Sequence, residues 1–324
     1  MAEISCVQAL NDGIREEMRR DPNLVILGED IGKYGGVFGV TKGLYEEFGG
    51  ERVRDCPLNE ASIIGFGVGL AISGKPAITE LEFMDFATYA MDPIVNQAAK
   101  LRYFWGGQVK VPLVVRMPIT AGLGFGSQHS QSLEAWFMHV PGLKVAIPST
   151  AYDAKGLIKT AIRDPNPVVF IENLGLYASK SDVPEEEYLI PFGQADIKRA
   201  GDDVTIVAIS AMVPKALKAA EELAKDGIEA EVIDPRTLAP LDIDTIIESE
   251  VKTGQLVIAH VAPKTGGVGA EIAQQVTEQA FDYLDGPVVR VAAADVPIAA
   301  SQALETAAYP DWPDIVEACL SFQE

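Results

Sequence analysis

A chain of 324 residues with 26 Lys and Arg against 47 Asp and Glu carries a net charge of −21, which repels nucleic-acid phosphates and suits either a basic partner or simple solubility. Hydrophobic residues at 48% and charged residues at 23% make an ordinary globular mixture, and the most apolar run, residues 63–72, is too short to span a bilayer. The length predicts about two domains, and the three separated cysteines (Cys6, Cys56, Cys319) exclude a zinc spacing and fit a reducing cytoplasm.

The opening Met-Ala-Glu-Ile-Ser-Cys has no basic region followed by an apolar one, so no signal peptide is expected. Val7, Leu10, Ile14 and Met18 recur at helical spacing and predict an amphipathic helix over 4–20. Residues 24–27 read as a buried strand, and Glu29 follows at its carboxyl end, the edge where open α/β sheets gather ligands. Acids at strand ends are more often merely solvated. A glycine-rich loop (Gly32, Gly35, Gly36, Gly39) leads to a helix over 41–48.

The stretch 55–69 then stands out. Pro57 favours an extended entry, Asn59 is a helix N-cap, and Glu60 falls in the first turn. The following Gly65, Gly67, Gly69, Leu70, Ala71 and Ile72 are apolar on every side, which predicts a buried helix with Glu60 at its mouth. Two readings of Glu60 stay open: a cap that complements the helix dipole, or a carboxylate kept in low dielectric to handle a proton.

Residues 75–83 are strand-like, 89–105 helical, and 111–117 a buried strand. The loop 121–132 is glycine-rich and holds His129; a histidine on a loop after a parallel strand suits a site as well as a core. Strands over 143–147 and 167–172 flank a helix over 153–162. The alternation predicts a parallel sheet covered on both faces. Residues 181–193 are acidic and Pro-bearing, as in a linker. A second series follows, with strands at 204–209, 231–234, 255–260 and 288–291 and helices at 214–226 and 242–253. The expected fold is therefore α/β with two parallel-sheet domains, 1–182 and 199–324, joined by a linker at 183–198. No P-loop, dinucleotide fingerprint or nucleophile elbow is present. Nor is there a Gly-Asp-Gly followed by paired asparagines.

Leu27-Gly-Glu-Asp30, Gly35-Gly-Val-Phe38, Asp55-Cys-Pro-Leu-Asn-Glu60, Gln97-Ala-Ala-Lys-Leu-Arg-Tyr103, Gln128-His-Ser-Gln-Ser132, Pro141-Gly-Leu-Lys-Val145 and Asp234-Pro-Arg-Thr237 occur in this order. Together they resemble the β subunit of the E1 component of 2-oxo acid dehydrogenase complexes, a transketolase-like thiamine-diphosphate family. The resemblance implies a pyrimidine-binding α/β domain followed by a transketolase C-terminal-like domain. It implies thiamine diphosphate as cofactor, with the diphosphate and its Mg2+ held mainly by an E1 α subunit in an α2β2 heterotetramer. The missing Gly-Asp-Gly signal agrees with that division. It also implies a lipoyl-bearing E2 acyltransferase as partner.

Carried over residue by residue, Glu60 is the carboxyl that hydrogen-bonds the pyrimidine ring nitrogen and favours the tautomer that takes the cofactor proton. Phe86 is the aromatic on that ring, Leu58 lines the same pocket, and Glu29 is a second acid. His129 is the loop histidine near the substrate carbonyl and the acyl-transfer site. Leu113, Ala161, Asp164 and Asn166 match positions whose backbone carbonyls hold a structural potassium ion in several relatives.

The implied reaction is oxidative decarboxylation of a 2-oxo acid, pyruvate first, with reductive acylation of lipoyl-E2. Acetoin-cleaving and branched-chain enzymes are the nearest rivals; a non-catalytic scaffold and a self-sufficient transketolase-like enzyme are more distant. The chain departs from the family at His260-Val-Ala-Pro263, where Glu often follows the His, and at Asp295-Val-Pro-Ile298, after which Ala299-Ala300 stands in place of a common aromatic. Both departures bear on subunit and E2 contacts more than on the chemistry.

Overall fold

A computed structural model describes residues 1–323, and the chain divides into two compact units, Met1–Ile119 with Trp136–Phe192, and Thr120–Ala135 with the segment from Gly193 onward.

In the first unit β1 (Ala2–Ser5) leads into α1 (Cys6–Arg20), whose apolar stripe Leu10, Ile14 and Met18 is buried while Arg19 and Arg20 close its last turn, where the helix dipole favours cations. Next come β2 (Val25–Gly28), α2 (Leu44–Phe48), β3 (Val53–Asp55), α3 (Glu60–Ile72) and β4 (Ala77–Glu80). The single helix expected over 89–105 is instead two pieces, a π-helical stretch at Asp92–Ala98 and α4 (Ala99–Phe104), preceded by a 3-10 turn at Met84–Thr88. Pro93 stands in the first turn of the π-helical stretch, where a missing amide is tolerated. The chain continues with β5 (Leu113–Ile119), α5 (Glu134–Met138), β6 (Lys144–Ala146), α6 (Ala151–Arg163), β7 (Val168–Asn173) and β8 (Lys180–Val183).

Within this unit the strands run β6-β7-β5-β4-β2-β3, each pair parallel, and β1 pairs antiparallel with β8 as a separate ribbon. The core beneath the sheet gathers Leu10, Ile14, Ile26, Ile78, Val114, Leu157 and Phe170. A buried ion network lies among its strands. Arg116 on β5 is fully buried, donates to both oxygens of Glu172 on β7 at 2.6 and 2.7 Å, and pairs with Glu80 on β4. The Tyr177 hydroxyl completes the network on Glu172.

The prediction that α3 is buried on every side is corrected. Ile63, Ile64, Gly67, Val68 and Ala71 are buried, but Phe66 is 67% and Ile72 48% exposed. The reason is one-sided packing. Gly67 lies against the sheet so closely that a Cβ there would fall 2.9 Å from Leu113 Cδ1, whereas the same test at Gly65 and Gly69 meets nothing within 4 Å.

In the second unit β9 (Asp196–Arg199), β10 (Val204–Ala208), α7 (Met212–Lys225), β11 (Ala230–Asp234), β12 (Thr237–Ala239) and α8 (Ile243–Thr253) are followed by β13 (Leu256–Pro263), α9 (Val268–Ala280), β14 (Val289–Ala293), α10 (Gln302–Ala308) and α11 (Trp312–Leu320). Its sheet runs β14-β13-β10-β11-β9, parallel except at β9, which is antiparallel to β11. Residues 196–198, read from sequence as the end of a linker, thus join Arg199 in an edge strand. Their Asp-Ile-Lys-Arg pattern carries no apolar run, and Arg199 anchors the edge by donating to the Ala230 carbonyl at 2.6 Å. An antiparallel edge on an otherwise parallel sheet is a common arrangement.

Candidate active site

The order β3-β2-β4 at one side of the first sheet decides which loops meet. Parallel strands bring their carboxyl ends to one edge, so the residues after β2, β3 and β4 converge there. Glu29 follows β2, the stretch from Cys56 to Glu60 follows β3, and Glu82 with the 3-10 turn holding Phe86 follows β4. Close approach is built in at Gly28, where a Cβ would lie 3.0 Å from Glu80 Cβ and 2.9 Å from Ile31. The Cys56 amide donates to the Gly28 carbonyl at 2.8 Å, and Asp55 accepts from the Gly32 amide at 2.7 Å. These bonds tie the loop before α3 to the end of β2.

Asn59 caps α3 as its sequence position predicts, its side-chain oxygen accepting from the Ser62 amide at 2.9 Å. Glu60 therefore begins the helix. It is 9% exposed, and among the described residues its carboxyl makes no hydrogen bond. Glu29, half-buried beside it, has its carboxyl pushed up to about 7, first by burial and then by the negative charges of Glu82, Glu60 and Asp30. Four carboxyls within electrostatic reach, in a partly desolvated recess at a helix N-terminus, form a place where a proton is easily held at neutral pH. Glu82 was missed from the sequence; acids alternating at Glu80 and Glu82 on the strand end were its only local signal.

Phe86 is half-buried and its ring stands edge-on to Phe83, with centroids 5.4 Å apart and planes at 71°. Phe38 packs on Phe83 in the same manner at 5.5 Å, so Phe86 is braced by an aromatic row. Leu58, expected to line the pocket, is 79% exposed in this chain.

The potassium expectation falls elsewhere. Leu113 begins β5, and Ala161, Asp164 and Asn166 lie at the end of α6 and in the turn before β7, at the amino edge of the same sheet. The Val111 amide donates to the Pro165 carbonyl at 2.9 Å, bringing the two segments side by side. Lys144 already pairs with the Asp164 carboxylate, which leaves carbonyl oxygens rather than carboxylates as donors there.

His129 belongs to the second unit. Its amide donates to the Gly126 carbonyl at 3.1 Å, and its own carbonyl accepts the Thr120 hydroxyl. A cavity of about 400 Å³ lined by Ser130, Ser132, Leu133, Val261, Ile298 and Tyr309 borders the loop. His260, by contrast, is buried on β13 against Gly267 and Gly269, and burial pushes its pKa down to about 4. That imidazole is a neutral packing group, consistent with a histidine in a core.

Residues 2–180 match the transketolase pyrimidine-binding domain and residues 193–315 the transketolase C-terminal domain. Pyruvate dehydrogenase E1 component subunit beta of Bacillus subtilis (strain 168) is 46% identical over 318 residues, covering 98% of each chain. The protein of the same name from Rickettsia felis is 49% identical over 316 residues, 98% of this chain and 97% of the relative. The mitochondrial subunit beta-1 of Arabidopsis thaliana is 48% identical over 320 residues, 98% and 88% respectively. Among solved structures, a split-gene transketolase described as an inactive beta4 tetramer superposes with a TM-score of 0.82 at 25% identity over 98% of both chains. With both domains matched in order and relatives near half identity along the whole length, the chain belongs to the transketolase-like family of E1 component β subunits of 2-oxo acid dehydrogenase complexes.

Proposed function

We propose that this chain, with an E1 α subunit, catalyses oxidative decarboxylation of pyruvate and reductive acylation of a lipoyl-bearing E2. The observation that carries the reading is Glu60: a buried carboxyl at a helix N-terminus with no hydrogen-bond partner of its own among the described residues. A recess holding one such acceptor beside an aromatic edge fits the pyrimidine of thiamine diphosphate. When bound, that cofactor supplies the electron sink for decarboxylation.

The chain's residues supply position and protons. Glu60 would hold the pyrimidine by its ring nitrogen and share a proton with it. Phe86, braced by Phe83 and Phe38, would fix the plane of that ring. Glu29, with its carboxyl near 7, carries or releases a proton at working pH. Leu58 closes the recess once a partner covers it. His129 donates to a developing oxyanion or delivers a proton to a lipoyl sulfur.

The diphosphate and its Mg2+ fall to the α subunit in this reading, in keeping with a sequence that carries no P-loop or Gly-Asp-Gly motif. A structural K+ on the backbone carbonyls of Leu113, Ala161, Asp164 and Asn166 belongs to the same reading, as oxygen donors suit a hard cation. The α2β2 assembly is supported by the open apolar face of α3, and docking of a basic E2 segment by the net charge of −21. A reducing, cytoplasmic setting suits three free cysteines.

The pair reconstituted with its α subunit decides the substrate. Assayed with pyruvate, acetoin and 2-oxoisovalerate, it should show its highest kcat/KM on pyruvate; absence of turnover with pyruvate overturns the proposal. Glu60→Gln should lower decarboxylation by at least about 100-fold while the α–β complex still elutes intact on gel filtration. Unchanged turnover in that variant would make the chain a scaffold.

A further inference from the structure

We infer that Glu305, together with Tyr309, is the positioning group that holds the His129 loop in shape. The inference deepens the reading of His129 as an acyl-transfer residue and rests on it. After β5 the loop passes Gly122, Gly124 and Gly126, all at positive φ of 86°, 78° and 81°. Glycine makes that path open to the backbone but gives it no stiffness, and a histidine that must meet a reacting atom needs a loop held from outside.

The holding groups come from α10. Glu305 is 1% exposed, and its two carboxylate oxygens each accept one loop amide, Gly122 N at 3.1 Å and Gly124 N at 2.7 Å. Four residues on, at the end of the same helix, the Tyr309 hydroxyl donates to the Ser130 carbonyl at 2.8 Å. The loop is therefore gripped on both sides of His129 by groups one helical turn apart. Between the grips, the His129 amide and carbonyl are engaged by Gly126 and Thr120. The Ala300 methyl lies against the glycine path, and a Cβ at Gly126 would sit 3.4 Å from it.

Among the described residues the Glu305 carboxylate has no other hydrogen bond and no cationic partner. Burying a carboxyl is unfavourable unless its oxygens are satisfied, and here only the loop in this conformation satisfies them. The side chain is matched to the loop rather than to the core around it. Nothing local in the sequence marks it, since the two amides lie more than 180 positions upstream.

Glu305→Gln keeps the shape but turns one acceptor into a donor that opposes an amide; Tyr309→Phe removes the other grip. In the enzyme reconstituted with its α subunit and assayed on a lipoylated E2 domain, each variant should lower kcat for acyl transfer by about tenfold or more, toward the roughly 100-fold that a 1 Å misplacement can cause, with a much smaller change in KM. Hydrogen exchange of the amides at 121–131 should quicken. In a His129→Gln background, Glu305→Gln should cost less than twofold, because the group it positions is already gone. An equal loss in both backgrounds, or faster exchange with unaltered kcat, overturns the inference. If His129→Gln alone leaves acyl transfer intact, the reading of His129 fails and the inference falls with it. A defective His129→Gln beside an unaffected Glu305→Gln refutes the positioning role alone. Should Glu305→Gln not fold, Tyr309→Phe carries the same comparison.

Discussion

The carboxyl of Glu29 is pushed up to about 7 because it is partly desolvated and faces Glu82 and Glu60. That shift is also a statement about stability. A folded pKa above the unfolded value near 4.5 means the folded chain holds the proton more tightly. The stabilisation is complete below about 4.5 and is lost as pH rises through about 7. Glu29→Gln, which stays neutral, should therefore match the parent chain near pH 4 and unfold at a higher temperature at pH 8. Because Glu29 is only partly buried, solvent screening keeps the gain modest. The gap should open between pH 4.5 and 7 and then stay flat; a gap independent of pH would mean that the crowding of carboxyls is not its source. The same crowding that lowers stability gives the recess a proton near neutrality, a trade typical of functional sites.

At the scale of elements, Arg116 ties three neighbouring strands together by pairing with Glu80 on β4 and Glu172 on β7 from its place on β5. Replacing it by Met strands two buried carboxylates and should destabilise the chain by about 3–5 kcal/mol, read as a shift in urea midpoint. Adding Glu80→Gln and Glu172→Gln should restore part of that loss, since the penalty lies in the unpaired charges. Most elements were legible because their signals are local: apolar runs mark β2, β5 and β7, and Asn59 marks the start of α3. The edge strand β9 was not, because its stability comes from pairing with β11 rather than from its own residues. The π-helical stretch Asp92–Ala98 looked like ordinary helix for the same reason, as apolar spacing does not report the hydrogen-bond offset. In the site, Glu29, Glu60 and Phe86 stood out through their place at strand ends and the family resemblance. Glu82 and Glu305 act on groups from other parts of the chain, and a side chain's distant partner leaves no trace in its neighbours.

At the scale of the whole molecule, α3 poses a question that the chain alone does not answer. Its glycines fall into two kinds. Gly67 is required, because Leu113 and Thr79 occupy the space a side chain would need. Gly65 and Gly69 face open space with ordinary helical backbone, where glycine costs about 0.5–1 kcal/mol relative to alanine. They share the exposed stripe with Phe66 and Ile72, an apolar face of the kind that marks a protein–protein contact. Glycine there makes sense if another subunit's backbone comes close. Opposite signs should follow in two assays. Gly65→Ala with Gly69→Ala should stabilise the isolated chain by about 1–2 kcal/mol in thermal or urea unfolding and weaken its association with the α subunit in analytical ultracentrifugation. Gly67→Ala should instead destabilise the isolated chain. If the double variant stabilises the chain and leaves association untouched, the open face of α3 is not where the subunits meet, and the exposed Leu58 near its start must be covered from another direction.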